Sequence, residues 1–210
     1  MDYQNSDGRC YAPATQRNRE PILAVLSRIL PQPPGSILEI ASGTGEHAVF
    51  FAPHLAPRCW LPSDPDTLAR QSILAWRQSQ PAANLYAPLA VDVSQPDWWL
   101  ALAETVPSPP LQAIVAINLI HISPWATCLG LMAGARELLS PEGILYLYGP
   151  FHQRGQPTAP SNIAFDQYLK AQNPEWGLRH LETVVAAAQD LDLVEIVAMP
   201  ANNLSVVLRR

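Results

Sequence analysis

The sequence predicts an α/β fold: a seven-stranded, mostly parallel sheet with helices on both faces and a C-terminal antiparallel hairpin. Three observations predict it. Apolar runs of strand length alternate with segments of helical period along most of the 210 residues. A glycine-rich turn, Ala41-Ser42-Gly43-Thr44-Gly45, joins the first run to the helix after it. The last two runs are separated only by Pro200-Ala201-Asn202-Asn203, too few residues for a crossover, so they must pair antiparallel.

Taken in order, residues 1–16 are polar and irregular and read as a flexible lead, with one domain over 17–210. A helix begins near Pro21 and buries Ile22, Leu26, Ile29 and Leu30; Pro31, Pro33 and Pro34 end it. Ile37, Leu38 and Ile40 make the first strand, and Glu46 to His54 the first crossover helix. Arg58 to Asp64 is the second strand. The next helix, Asp66 to Ser79, places Leu68, Ser72, Ile73 and Trp76 on one side. Ala87 to Val93 is the third strand. Ser94 to Asp97 then opens a short helix carrying Trp98, Trp99 and Leu102. Leu111 to Ile120 is the fourth strand, and Ser123-Pro124 starts a helix with Trp125, Cys128, Leu129, Met132, Leu138 and Leu139 on its buried face. Ile144 to Tyr148 is the fifth strand. Residues 151–180 read as an insertion over the strand tips, with a helix over Asn162 to Gln172. A helix over Leu181 to Gln189 precedes the hairpin of Val194–Met199 and Leu204–Leu208.

Composition narrows the function classes. The formal charge is −5 and no basic cluster occurs, which argues against tracking a nucleic-acid backbone. No apolar run approaches the roughly 20 residues that span a bilayer. The first residues lack the basic and apolar regions of a secretion signal, so the expectation is a cytoplasmic protein without nucleic-acid or membrane partners. Cys10, Cys59 and Cys128 form no C-x-x-C pair and read as isolated thiols. The five histidines show no metal-ligand spacing, so no metal is expected. Oligomeric state is not legible.

In sheets of this kind, ligands bind beyond the carboxyl ends of the strands. Glu39, Asp64, Asp92 and Asn118 each fall near such an end. Asp64 lies about 20 residues past the glycine turn, where a carboxylate can accept ribose hydroxyls. The turn itself resembles motif I of the class I S-adenosylmethionine-dependent methyltransferases, an acidic residue followed by G-x-G-x-G. Ala41 replaces the first glycine.

Several stretches together resemble one family, DUF938, which is similar to methyltransferase-like protein 26. They are Arg17–Ile22, Leu38–Val49, Pro62–Asp66, Asn118–Trp125, Leu147–Phe151, Asn173–Gly177 and Met199–Ser205. The resemblance runs from about Arg17 to Leu208. It implies a Rossmann-like class I methyltransferase fold and an S-adenosylmethionine cofactor, without naming a substrate. Carried over by position, Glu39 would hold the methionyl amino group and Asp64 the ribose. Ala41, Gly43 and Gly45 would let the cofactor lie on the turn. Asp92 would accept from adenine, Val93 would lie against its ring, and Asn118 would line the methionyl side. Arg17 and Arg19 are candidates to pair with a carboxylate; solvated surface arginine is the plainer reading.

Methyl transfer from a sulfonium mainly needs positioning, with a base where the acceptor carries a proton. His121 is the base candidate, set against a histidine that merely packs beside the crevice. Tyr148 could touch substrate or be wedged in the core. His47 reads as structural. Trp176 and Phe151 could stack on an acceptor or anchor the long insertion. Three functions remain open at this point. One is a methyltransferase acting on a small molecule or an exposed side chain. The others are a cofactor-binding protein without turnover and a nicotinamide-dependent oxidoreductase.

Overall fold

The computed structural model describes residues 3, 4, 7–102 and 111–210. Part of the expected flexible lead, residues 1, 2, 5 and 6, lies outside the described residues. The main sheet has six strands: β1 (Ser36–Ile40), β2 (Cys59–Pro62), β3 (Leu111–Ile117), β4 (Leu139–Gly149), β5 (Asp192–Met199) and β6 (Asn203–Arg209). Their order is β2-β1-β3-β4-β6-β5. The pairs β1·β2, β1·β3 and β3·β4 are parallel, whereas β6 runs antiparallel to both β4 and β5. The expected hairpin is therefore present.

Six strands rather than seven is a correction, and its cause is local. The chain over 85–89 runs along β2 but pairs only at two isolated points, Trp60 with Leu85 and Ser63 with Leu89, and of these Leu89 alone belongs to the expected third strand. Pro88 stands between those points and has no N–H to donate. Backbone bonds at Tyr86 and Leu89 hold the segment to β2 (3.0 and 2.9 Å) without a continuous ladder.

The described residues form six α-helices: α1 (Pro13–Ile29), α2 (Glu46–His54), α3 (Thr67–Ser79), α4 (Trp125–Leu138), α5 (Pro160–Gln172) and α6 (Leu181–Ala187). Alternate strand residues feed two cores, as period-2 geometry demands. Ile37, Trp60, Ala113, Val115, Tyr146 and Val207 meet Ile22, Leu26, Phe51 and Trp76 of α1, α2 and α3. On the opposite face Leu38, Leu61, Ile114, Leu145 and Val206 meet Cys128, Leu131 and Val184 of α4 and α6. Leu129, read on the buried face of its helix, is exposed, as is Leu68.

Helix α1 starts at Pro13, within the stretch expected as a flexible lead, and carries Pro21 inside it rather than in its first turn. The preceding residues are tied to the helices over β1. Ala12 N–H donates to the Glu46 carboxylate, Cys10 N–H to Ser72 Oγ (2.8 Å), and Trp76 Nε1 to the Cys10 carbonyl (2.9 Å). This lengthening of α1 matters, because it brings Ala14, Arg17 and Asn18 onto one helix face by their i, i+3, i+4 spacing.

Candidate functional site

The first part of the site is built where β1 and β2 end. Ala41 leaves β1 in the left-handed region (φ 54°) and turns the chain over the strand tip. Ser42 N–H donates to the Ser63 carbonyl (2.8 Å), Ser63 N–H returns a bond to Ser42 Oγ (3.1 Å), and Ser63 Oγ donates to the Glu39 carbonyl (2.7 Å). Gly43 N–H donates to one Asp64 carboxylate oxygen (3.0 Å) and Asp66 N–H to the other (2.9 Å). The two strand tips are thus stitched into one rigid corner.

The two glycines of the turn serve different ends. Gly45 (φ 90°) starts α2, and a Cβ placed on it would lie 2.8 Å from the Ile73 Cα of α3. It is needed for helix packing. Gly43 (φ 56°) has no atom within 4 Å of the place its Cβ would take. A ligand can lie against it.

Glu39 is 1% exposed, and one of its oxygens accepts from Trp60 Nε1 (3.0 Å) and Ser42 Oγ (2.9 Å). Burial pushes its pKa up to about 7; the two hydrogen bonds pull it down and the charge of Asp64 pushes it further up. Burial also raises the Asp64 carboxyl above its ordinary value, opposed by the N–H groups of Asp66 and Gly43. A cation arriving at this corner would favour both ionised forms.

The second part lies where β3 and β4 end. Asn118 follows β3 in the left-handed region (φ 56°), and its N–H donates to the Tyr148 carbonyl (2.8 Å). A cavity of about 540 Å³ opens here, lined by Arg17, Asn18, Asn118, His121, Tyr148 and Phe165 among others. Its far wall is the turn between β5 and β6, where Ala201 and Asn202 both have positive φ (56° and 57°). Asn162 of α5 pins that turn by donating to the Asn202 carbonyl (3.0 Å).

His121 is 4% exposed, and neither ring nitrogen has a hydrogen-bond partner among the described residues. Burial, with Arg179 nearby, lowers its pKa to about 4, so the ring is neutral at physiological pH. Its loop is held from the 151–180 segment: Gly177 N–H donates to the His121 carbonyl (2.9 Å) and Arg179 to the Ser123 carbonyl (2.9 Å). The Asn173–Gly177 motif therefore anchors the loop that carries His121. Burial raises the Tyr148 phenol, while contact with Asn18 and the charge of Arg17 oppose that shift. Asn18 Oδ1 in turn meets His47 Nε2 (2.8 Å), a histidine whose pKa burial and Arg19 lower to about 3.

The structure thus joins Glu39, Gly43 and Asp64 at one corner and Asn118, His121 and Tyr148 around one cavity. Of the four polar groups expected to converge, Asn118 alone lines that cavity. Asp92 bonds within its own turn, to Ser94 N–H (2.9 Å), Ser94 Oγ (2.6 Å) and Gln95 (3.1 Å). Val93 is packed in the core. Arg19 stacks its guanidinium over Phe50 (4.6 Å) and makes no ion pair among the described residues. Phe151 is core, and Phe165 of the same 151–180 segment lines the cavity instead. Asn18, Asn162 and Phe165 carry no individual signal beyond the stretches that contain them; Asn203 reads first as a turn residue, with the pocket rim as the minority alternative, and it lines the cavity. Asn18 was findable only from its spacing to Ala14 and Arg17 once α1 is begun at Pro13.

The described residues hold no group of three or more metal-ligating side chains, and no helix long and apolar enough to cross a membrane. Similar folds occur in solved methyltransferases. An O-methyltransferase family protein of Burkholderia thailandensis matches with a TM-score of 0.75 at 11% identity, over 94% of this chain and 57% of that one. Human N-acetylserotonin methyltransferase, solved in complex with SAM, matches at 0.70 and 12% identity, over 94% and 52%. An O-methyltransferase family 2 protein of Planctomyces limnophilus, solved with apigenin, matches at 0.67 and 18%, over 83% and 49%. The chain spans about half the length of these proteins, and the likeness is one of fold. At the level of sequence, the pattern of DUF938, described as a protein of unknown function, matches residues 9–210, and the chain belongs to that family.

Proposed function

We propose that this protein is an S-adenosylmethionine-dependent methyltransferase acting on a small-molecule acceptor. One observation carries the reading: a glycine turn with open space over Gly43 shares its corner with two buried carboxylates, beside a cavity whose Arg17, Asn118 and His121 side chains have no hydrogen-bond partner among the described residues. The fit to the cofactor is chemical. Asp64 keeps lone pairs for ribose hydroxyls after accepting two N–H bonds. Glu39, near-neutral when empty, ionises beside a cationic amino group. Gly43 leaves room for a backbone approach. Asn118 would line the methionyl side, and Asp92 and Val93 the adenine side. Gly45 and Ala41 shape the turn, and Arg19 supports α2 rather than the ligand. The motifs at Asn118–Trp125 and Met199–Ser205 extend the reading to a relative of methyltransferase-like protein 26.

When bound, S-adenosylmethionine supplies a methyl group on a cationic sulfur that leaves as a neutral thioether once an acceptor lone pair has taken the methyl. The protein's own part is orientation. Tyr148, held by Asn18, offers a neutral phenol to the cavity. His121 is unprotonated above about pH 4 and can take the acceptor's proton. A base that weak serves only where the proton becomes acidic as the new bond forms. The burial of His121 also favours the alternative of a cofactor-binding protein without turnover.

Calorimetry with S-adenosylhomocysteine and NAD tests the cofactor. One-to-one binding of S-adenosylhomocysteine, with no heat from NAD, is expected. Binding of NAD instead would make the protein an oxidoreductase on a related sheet. Turnover on an acceptor panel separates the enzyme from the binding protein.

A further inference from the structure

The cavity at the tips of β3 and β4 has an uneven chemistry. The whole chain carries 18 acidic residues against 13 basic ones, yet no carboxylate lines this space. Arg17 does line it and forms no ion pair or hydrogen bond among the described residues. Helix α5 opens into the same space through Ser161 and Asn162. Its first turn holds no acidic residue and no side chain caps it; Asn162 N–H bonds to the Ala159 carbonyl (2.9 Å) and Pro160 has no N–H, which leaves the Ser161 N–H as the open donor at this positive end. The ring of His121, buried and lacking a hydrogen-bond partner, also borders the space. Two apolar walls stand uncovered: Ile122 is 41% and Phe165 37% exposed. An anion thus finds a cation and a helix end, and a flat apolar body finds Phe165.

We infer that this cavity binds an aromatic carboxylate, with the carboxylate between Arg17 and the first turn of α5 and the ring against Phe165. A guanidinium matches a carboxylate in planar, two-point fashion, which favours this anion over a dianionic phosphate that a single arginine would leave half-neutralised. The inference deepens the methyl-transfer reading by naming the acceptor class, and rests on that reading only for what becomes of the bound molecule. S-adenosylmethionine also carries a carboxylate, so the same chemistry has two sources.

The test uses 4-hydroxybenzoate and its uncharged relative 4-hydroxybenzamide, titrated calorimetrically into the full chain and into Arg17→Gln, with S-adenosylhomocysteine titrated separately. Arg17 is exposed and makes no ion pair, so the variant should fold as the parent does. The expected result is about tenfold tighter binding of the acid than of the amide by the parent. In Arg17→Gln that preference should vanish while S-adenosylhomocysteine affinity is unchanged. Equal affinity for acid and amide, no binding of either, or an acid preference that survives the substitution would overturn the inference. A loss of S-adenosylhomocysteine affinity in Arg17→Gln would hand the arginine to the cofactor's own carboxylate and overturn it as well. If the parent binds the acid but not S-adenosylhomocysteine, the methyl-transfer reading fails and the anion site stands.

Discussion

The two halves of the site are built in opposite ways. At the tips of β1 and β2, Glu39, Ser42, Ser63 and Asp64 bond to one another and to backbone, and the corner is nearly closed. At the tips of β3 and β4, Asn118, His121 and Arg17 have side chains without hydrogen-bond partners among the described residues, and they face a cavity of about 540 Å³. The first is a preorganised frame; the second is a vacancy with uncommitted groups. A closed network suits an invariant ligand, because its donors and acceptors are already set at the right places. Open, unpaired groups suit recognition of the partner that differs between related enzymes, where specificity comes from satisfying them.

The contrast breaks most sharply within the glycine turn. Gly45→Ala puts a methyl 2.8 Å from the Ile73 backbone at a φ of 90°. The left-handed conformation costs about 1–2 kcal/mol and the overpacking about 1–3 more, so about 2–5 kcal/mol is expected in chemical denaturation. Gly43→Ala meets nothing within 4 Å. It should cost only the conformational part, about 1–2 kcal/mol, yet weaken S-adenosylhomocysteine more than its stability loss explains. Equal stability losses in the two variants would remove the distinction between the packing glycine and the ligand glycine.

Titration gives the two halves opposite signs. Glu39 has a folded-state pKa of about 7 against an ordinary 4.5, so the folded chain holds the proton more tightly. The stability this contributes is complete below the ordinary value and is lost as pH rises through about 7, on the order of 3 kcal/mol at roughly 1.4 kcal/mol per unit. His121 is lowered from 6.5 to about 4, so its contribution is complete above the ordinary value and lost as pH falls through 4. Thermal melts should show Glu39→Gln flattening the decline between about pH 4.5 and pH 7, and His121→Gln flattening the acid side. A Glu39→Gln variant whose melting temperature falls with pH as steeply as the parent's would place the proton elsewhere.

Legibility in the sequence follows the same divide. The corner at β1 and β2 is local: Glu39 to Gly45 is one strand, turn and helix start, and Asp64 ends the neighbouring strand, so period and punctuation reveal it. The parallel run and the closing hairpin were equally readable, since alternating strands and helices imply crossovers and a short connection forces antiparallel pairing. The seventh strand failed because propensity outweighed one proline, Pro88, in the reading of Ala87–Val93. The cavity is non-local. Arg17 and Asn18, Asn162 and Phe165, and Asn203 come from three distant segments, and no spacing links them. Placing the start of α1 at Pro21 instead of Pro13 hid the face that carries Arg17 and Asn18. Asp92 was legible only as the end of the expected third strand; in the structure it lies outside any strand, with its carboxylate accepting from Ser94 and Gln95.

Asp64 sharpens the frame from within. Asp64→Asn keeps an oxygen for the Gly43 N–H but removes the charge and one acceptor. Affinity for S-adenosylhomocysteine should fall by about 1–2 kcal/mol, with the melting temperature little changed. A full loss of folding instead would make Asp64 a stitch of the corner and nothing more.

The smallest effect is the most discriminating for the turn, because it runs toward stability. Ala41 occupies the place where motif I carries a glycine, and it does so at φ 54°. An alanine there bears a left-handed penalty of about 1–2 kcal/mol that glycine lacks, offset in part by glycine's greater freedom when unfolded. Ala41→Gly should therefore raise stability, by about 0.5–1 kcal/mol in chemical denaturation, against the usual loss on introducing glycine. If S-adenosylhomocysteine affinity is unchanged, the Cβ of Ala41 points away from the ligand and the departure from the motif is a matter of backbone strain alone. If affinity rises as well, the methyl crowds the cradle, and the frame at β1 and β2 is less complete than its hydrogen bonds suggest.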